Sequence, residues 1–304
     1  MHLIVTIPAF NEEETISDVI SSVPKKLKGI KKIDVLVWSD GSTDKTVEVA
    51  KKAGADYVFS SKKNLGLART FDLATTKAVE LGADIVVNTD ADNQYDQKEI
   101  EKLITPILEG QADVVNGNRQ VEKLNHMPPS KKLGNMLGSW VIRHLTGLTI
   151  QDASSGFRAY SAEAISTLNI FSRHTYTHET LVQIAFSDLA IIEVPVTFKE
   201  RSGGSSNSRL IKGVMSHIFK SGSTIVRTLL MFKALRVFVS AGIFALLLSA
   251  LLGMRYLWFY FDGSSAGHVQ SLILASMLFN LGLLMGLVGV IADLIAINRK
   301  IITK

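Results

Sequence analysis

Ile85-Val86-Val87-Asn88-Thr89-Asp90-Ala91-Asp92-Asn93-Gln94 is a short β-branched run that passes directly into an acidic turn. β-Branched side chains fit a pleated strand, and a strand that stops at turn-forming residues presents them at the end of its sheet. The same grammar recurs upstream. Leu3 to Ile7 leads into Pro8-Ala9-Phe10-Asn11-Glu12, and Ile33 to Trp38 leads into Ser39-Asp40-Gly41-Ser42. Tyr57 to Phe59 and Asp113 to Asn116 read as further strands, with helical patterning near 12–23, 44–53, 67–81 and 97–109. Strands alternating with helices predict an α/β fold with a mostly parallel sheet covered by helices. Ligands of such sheets bind beyond the carboxyl ends of the strands, so three carboxylate-bearing loops are expected on one rim.

Further along the chain the composition changes. Residues 1–205 mix charges with short apolar runs, whereas 237–260 and 269–297 are almost continuously apolar. Each of these runs exceeds the ~20 residues that cross a bilayer as a helix. The expected organisation is a soluble domain at 1–205, basic amphipathic juxtamembrane helices at 206–236, and a transmembrane hairpin at 237–304. Between Arg201 and Phe261 there is no Asp or Glu, while Arg209, Lys212, Lys220, Arg227, Lys233 and Arg236 all occur there. Mixed with Leu and Phe, that charge suits an anionic lipid surface. No recognition module accompanies it, so a nucleic-acid partner is not expected.

Lys and Arg accumulate on the cytoplasmic side of spanning helices. Lys233 and Arg236 precede the first span and Arg299, Lys300 and Lys304 follow the second, while Asp262 to His268 has neither residue type. Both ends of the hairpin, and the soluble domain with them, are expected at the cytoplasmic face. The apolar start, Met1 to Phe10, is too short for a signal sequence and reads as a first strand. The absence of cysteine suits a reducing compartment.

Asp90 and Asp92 flank one small residue, a spacing that lets two carboxylates reach a single hard divalent ion while diphosphate oxygens fill other positions. The competing reading is a turn in which Asp96 caps the next helix. Neither a GxGxxG fingerprint nor a GxxxxGK[ST] loop is present, which counts against hydride transfer and ATP hydrolysis.

The segments PAFNEEE, SDGSTD, NLG, DADNQ, GNR and SSGFRAYS occur in this order. In this series the chain resembles glycosyltransferase family 2, and more narrowly the polyprenyl-phosphate sugar synthases. The resemblance implies a GT-A-type, Rossmann-like sheet and a nucleotide-sugar donor pocket framed by Pro8, Phe10, Glu12, Asp40 and Ser42. It also implies that Asp90, Ala91 and Asp92 sit at the diphosphate, that Asp90, Asp92 and Gln94 hold Mg2+ or Mn2+, and that Asp92 takes part in catalysis. Arg119 is implied near the acceptor phosphate, and Arg201, at the end of a strand from Val194, at the phosphates of both substrates. Asp152 corresponds to the family's catalytic acid or base, or orients the acceptor. Without the resemblance, Pro8 and Phe10 read as a strand end packed on the core, and Arg119 as a surface ion pair.

The chain also departs from the family pattern. Phe10 stands where the narrower group often has Tyr, Leu67 where relatives often place Lys, and Asn207 where a Lys usually follows Gly204 and Ser206. Ser206, which fits the pattern, is expected at the acceptor phosphate with Arg209 supplying the charge of the missing Lys, and Arg69 is a weaker substitute at the earlier loop. His174, Tyr176, His178 and Glu179 form a polar cluster without the HExxH arrangement of a zinc site. It reads as an acceptor contact, with Glu179 the member to test, or as a polar wall. Asn280 lies within the second span, where Gly282 and Gly286 make a small-residue face suited to close helix packing or self-association.

The expected activity is inverting transfer of a hexose from GDP-mannose, UDP-glucose or UDP-N-acetylglucosamine to a polyprenyl or dolichyl phosphate. A membrane-anchored transferase with a glycan or diacyl-lipid acceptor, and a silent nucleotide-sugar-binding scaffold, are the alternatives.

Overall fold

The computed structural model describes residues 1–125, 127–172, 175–201, 214–263 and 267–302. Within residues 1–201 the strands are β1 (His2–Ala9), β2 (Lys32–Ser39), β3 (Tyr57–Ser60), β4 (Ile85–Asn88), β5 (Val114–Asn118), β6 (Arg158–Ser161) and β7 (Ile191–Pro195). The helices are α1 (Ile16–Ser22), α2 (Thr46–Lys52), α3 (Leu67–Glu80), α4 (Ile100–Leu108), α5 (Pro129–Thr146), α6 (Ala162–Thr167) and α7 (Thr177–Ala185).

The seven strands form one sheet in the order β3-β2-β1-β4-β6-β5-β7. All pairings are parallel except those of β6, which runs antiparallel to both β4 and β5. Successive side chains of β1 point to opposite faces. Leu3, Val5 and Ile7 therefore join α1, α2 and α4 in one core, while Ile4 joins α3, α6 and Ile184 of α7 in the other. Helices thus cover both faces of the sheet, as the alternating pattern predicts.

The sequence reading did not find β6, because SSGFRAYS carries no alternating apolar signal. Its insertion brings Arg158 and the loop before it between β4 and β5. The strand expected from Val194 to Arg201 also differs. β7 ends at Pro195, and the chain beyond it crosses to the β4 loop, with Phe198 bridged to Tyr95 and Lys199 N–H donating to the Gln94 carbonyl at 2.7 Å.

The chain divides into two compact units, Met1–Ile225 and Val226–Lys304. Helix α8 (Val214–Phe261) runs unbroken, so from Val214 onward no boundary separates a juxtamembrane helix from the first span. Within α8 and α9 (Val269–Ile302), the stretches Ala234–Phe261 and Val269–Ile295 contain 18-residue windows with mean hydropathies of 2.4 and 2.1, and only 17% of each window is buried. Apolar helices this exposed match lipid as a solvent, not a protein core. They meet through glycine: a Cβ on Gly242 would lie 2.8 Å from the Gly282 carbonyl, and one on Gly282 would lie 2.7 Å from Leu246 Cγ. A Cβ on Gly286 would meet nothing within 4 Å, so the close contact belongs to Gly282. Asn280 donates to Ser276 O within its own helix at 2.9 Å.

Candidate active site

Beyond β4 the chain turns through Asn93, at φ 58, in the left-handed region that Asn tolerates. Thr15 Oγ1 donates to Ala91 O at 2.7 Å and Gln97 Nε2 to Thr89 Oγ1 at 2.9 Å, which fix the turn. Asp96 Oδ1 accepts from Lys98 N, so the capping reading also holds here. Against this turn lies the loop before β6. A Cβ on Gly156 would come 2.9 Å from Asp90 Oδ1 and 3.0 Å from the Tyr176 hydroxyl, so glycine is needed for the approach.

Among the described residues, nothing donates a hydrogen bond to the Asp90 carboxylate. Burial raises its pKa to about 7, with the neighbouring Asp92 adding to the rise and Arg119 opposing it. Asp92, whose Oδ1 accepts from Gln94 N at 3.3 Å, is also raised, burial again first among the causes. Two adjacent carboxylates left short of donors are what a divalent cation completes. No set of three or more His, Cys, Asp or Glu gathers among the described residues, so further ligands would come from a bound diphosphate. Gln94 donates through Nε2 to Lys199 O at 3.1 Å, which leaves its Oε1 as the atom a cation would use.

Arg119 follows β5, just before Gln120 at φ 51. Its Nε and one terminal nitrogen donate to Asp152 Oδ2 and Oδ1 at 2.7 and 2.8 Å, and its backbone N–H donates to Oδ2 at 3.1 Å. Asn135 Nδ2 adds a fourth bond, to Oδ1, at 2.9 Å. The guanidinium also lies over the Phe198 ring, 5.2 Å from its centroid. Burial alone would raise Asp152, but the Arg119 charge and the hydrogen bonds from Arg119 and Asn135 outweigh it and hold the carboxyl below its usual range. Asp152 thus accepts four hydrogen bonds, three of them from Arg119, and holds that side chain in position. Burial works against the Arg119 charge, but the Asp152 carboxylate and its hydrogen bonds outweigh it, so its pKa is raised and it stays a cation.

Two residues that build this pair carry no role in the sequence reading. Glu193, on β7, accepts from Asn116 Nδ2 (2.8 Å), Asp152 N (3.0 Å), Gln151 N (2.9 Å) and Asn118 Nδ2 (3.1 Å). It ties β5 to the loop that carries Asp152. A lone carboxylate in the apolar run Ile191-Ile192-Glu193-Val194 was the available signal. Arg158 is fully buried and, among the described residues, donates to neutral oxygens: Asn116 Oδ1, Thr177 O, Thr180 Oγ1 and Ala153 O, at 2.5 to 2.9 Å. It pins β5, the 153–156 loop and α7 together.

At the donor side, Glu12 accepts both bonds from Arg201, at 2.8 Å each, and one from Thr15 Oγ1. The Arg201 charge also reaches Asp92, so the crossing segment after β7 does bring Arg201 to the β4 turn. Asp40 is buried and its oxygens accept from Leu65 N at 2.7 Å and Gly66 N at 2.9 Å, which makes it a clamp on the loop before α3. Ser42 Oγ accepts from Asn11 N at 3.1 Å. Pro8 is buried within β1, the Ala91 side chain lies in the core, and Phe10 is half-buried at the rim. Arg69 pairs with Asp72 on the surface of α3.

Glu179, expected at the acceptor, is 2% exposed and its two oxygens accept from Phe171 N and Ser172 N at 3.0 Å each. It braces that loop. Tyr176 stacks on Phe71 with ring centroids 3.8 Å apart, and Asn88 Nδ2 donates to its hydroxyl. His174, Ser206 and Arg209 lie outside the described residues.

Compared with known proteins, residues 4–168 match the family described as Glycosyl transferase family 2. A dolichyl-phosphate hexose transferase of Haloferax volcanii is 30% identical over 203 residues, 66% of this chain and 84% of that one. An undecaprenyl-phosphate mannosyltransferase of Micrococcus luteus is 29% identical over 220 residues, 68% and 87% of the two chains. Among solved structures, glucosyl-3-phosphoglycerate synthase from Mycobacterium tuberculosis, in complex with Mg2+ and uridine diphosphate, superposes with a TM-score of 0.55 at 22% identity. That likeness covers 75% of this chain and 79% of the other, and it establishes the fold.

Proposed function

The chain belongs to glycosyl transferase family 2, and from that premise we propose that it moves a hexose from a nucleotide-sugar to a polyprenyl or dolichyl phosphate, with inversion at the anomeric carbon. The observation that carries this reading is the Arg119 cation, fixed by Asp152 and acting on Asp90, beside two carboxylates short of hydrogen-bond donors. A fixed guanidinium grips phosphate oxygens in pairs, and the carboxylates suit a cation on a diphosphate. The names of the Haloferax and Micrococcus relatives support the acceptor class.

In this mechanism Arg119 holds the acceptor phosphate. One of its anionic oxygens attacks the anomeric carbon, the bond from that carbon to the donor diphosphate breaks, and the nucleoside diphosphate leaves with the electron pair. A lipid monophosphate has a second pKa near ~6 and is already anionic at neutral pH, so the step needs no strong base. That agrees with a fully hydrogen-bonded Asp152. Asp90 and Asp92, with Gln94 alongside, would hold Mg2+ or Mn2+, whose Lewis acidity neutralises the departing diphosphate. Arg201 exchanges its contact with Glu12 for the donor phosphates. Rate then comes from alignment and charge stabilisation.

The catalytic unit is assigned to the cytoplasmic face, with the two apolar helices as its anchor. Lys233, Arg236, Arg299, Lys300 and Lys304 flank the outer ends of the spans, against Arg255 alone toward the connecting segment. The test is transfer of label from a panel of nucleotide-sugars into organic-extractable polyprenyl phosphate, with Mg2+, Mn2+ or chelator, alongside Asp90→Asn. Metal-dependent label from one donor, lost in the variant, is the expected result. Donor binding without lipid labelling under any condition overturns the acceptor assignment.

A further inference from the structure

Arg255 is the one Lys or Arg within the two apolar stretches 237–260 and 269–297, and it is exposed. Hydrocarbon cannot solvate a cation, so an ionisable residue in that setting marks a function by default. Its Cα lies before the end of α8 at Phe261 by roughly 9 Å, at 1.5 Å per residue. Side chains of a helix lean toward its N-terminus, which for α8 is back into the apolar stretch. Arg255 goes the other way. Its guanidinium lies over the Phe259 ring, 5.7 Å from the centroid, and its Nη1 donates to Ser271 Oγ of α9 at 3.4 Å. The Phe259 ring in turn stacks on His268, with centroids 3.7 Å apart. The charge therefore sits over the next turn of α8, toward the end where that helix stops and α9 starts.

An arginine that merely reaches for water is the plain alternative. Such a side chain has no need of partners, whereas this guanidinium is held by a ring of its own helix and a hydroxyl of the other. A planar fork fixed in one place takes phosphate oxygens in pairs. Its counter-charge is not in the protein. Among the described residues no carboxylate pairs with Arg255, and Asp293, the one acid inside the two stretches, stands roughly 36 Å along α9 from Val269. The Ser271 hydroxyl and the His268 ring nitrogens put further hydrogen-bonding groups beside the guanidinium. Tyr256, Trp258 and Tyr260 occupy the same turns of α8, with Trp258 and Tyr260 75% and 58% exposed. Trp and Tyr collect at the headgroup level of a bilayer, so the anion available at this height is a lipid phosphate.

We propose that Arg255, with Ser271 and His268, forms a binding site for the phosphate of an anionic membrane lipid at the end of the hairpin where α8 passes into α9. Arg255 belongs to one helix and Ser271 and His268 to the start of the other, so the bound headgroup ties the two together. The site lies wholly within the unit Val226–Lys304, and the proposal requires nothing of the reaction assigned to the catalytic unit.

The test is mass spectrometry of the intact full chain in detergent, titrated with phosphatidylglycerol or phosphatidylcholine, which counts bound lipids and gives the affinity of each step. The tightest step is expected to prefer phosphatidylglycerol. Arg255→Gln is expected to weaken that step roughly tenfold, the loss of one hydrogen bond to a charged group, and to leave phosphatidylcholine binding unchanged. Arg255→Lys keeps the charge without the fork and is expected to fall between the two; it decides the matter alone if the Gln variant does not fold. Arg236→Gln, before the opposite end of the same span, is expected to leave the tightest step as it is. An unchanged step in the Arg255 variants overturns the proposal. Equal weakening by Arg236→Gln also overturns it, because the lipid then answers to total charge and not to a site. Displacement of phosphatidylglycerol by millimolar inorganic phosphate would assign the site to a free anion and overturn the lipid.

Discussion

Arg119 and Asp152 meet through two parallel hydrogen bonds of 2.7 and 2.8 Å, on side chains that are 12% and 1% exposed. Removing one partner of a buried pair leaves an uncompensated charge, which typically costs about 3–5 kcal/mol. Asp152→Asn is therefore expected to lower thermal stability markedly as well as to abolish transfer. Adding Arg119→Met to Asp152→Asn is expected to recover part of the stability and none of the activity. A general base would behave differently, with activity lost at unchanged stability and nothing regained by the double substitution. Because the folded pKa of Asp152 is depressed, its contribution is present above the ordinary carboxylate range and lost as pH falls through the lowered value. Unfolding midpoints of the single and double variants, measured against pH, check both statements.

Asp90 has the opposite sign. Its pKa without a cation is raised to about 7, so between the ordinary carboxylate value and about 7 the folded chain holds a proton that the unfolded chain has released. The slope rule then makes metal-free stability fall as pH rises across that window, by at most ~1.4 kcal/mol per unit. Asp90→Asn is expected to flatten the slope. Mn2+ binding, which needs the carboxylate ionised, is expected to tighten as pH rises to about 7 and to level off above it. Calorimetric titration of Mn2+ with uridine or guanosine diphosphate at several pH values reads this directly.

Glu193 gives a test of positioning at a distance. Glutamine in its place keeps the size but supplies one acceptor oxygen in place of two, so of its four donors at least two lose their partner or face the new amide. Glu193→Gln is expected to cost about 1–3 kcal/mol of stability. On the proposed role of Arg119 at the acceptor phosphate, the variant is also expected to raise KM for polyprenyl phosphate while leaving KM for the nucleotide-sugar close to wild type. Equal changes in both would mean general loosening of the fold.

The parallel half of the sheet was legible because each of its strands repeats one pattern, a β-branched run closed by polar turn residues. Asp90, Asp92 and Arg119 stood out in the sequence because charged residues just after strands have few structural reasons to be there, whereas Asp152, in the loop between α5 and β6, was singled out through the family resemblance alone. β6 was not, since its four residues, Arg158-Ala159-Tyr160-Ser161, mix polar and apolar side chains without alternation and are stabilised by neighbours on both sides. Tertiary pairing overrode a weak local preference. Glu193 and Arg158 were missed for the same reason, because what they hold is defined only once β5, β6 and β7 lie side by side. Asp40 and Glu179 carry a structural role that the sequence did not show. Their side-chain types suggested a ligand site, and in the structure their oxygens accept from backbone N–H groups of neighbouring loops, partners that no local pattern announces.

Gly282 and Gly286 are one helical turn apart and sequence alone treats them alike. The structure separates them, since a Cβ at Gly282 would stand 2.7 Å from Leu246 Cγ and 2.9 Å from the Gly242 carbonyl, whereas one at Gly286 meets nothing within 4 Å. The Leu246 side chain can yield but a helix backbone cannot without moving the whole helix, and overpacking of this kind costs about 1–3 kcal/mol. Gly282→Ala is therefore expected to lower the unfolding temperature of the full chain in detergent, and Gly286→Ala to leave it unchanged or raise it slightly through better helix propensity. If Gly286→Ala instead weakens self-association with no change in unfolding, that glycine packs against a second copy and the face serves assembly. Thermal unfolding and detergent-solution mass measurements on the two variants decide between these roles.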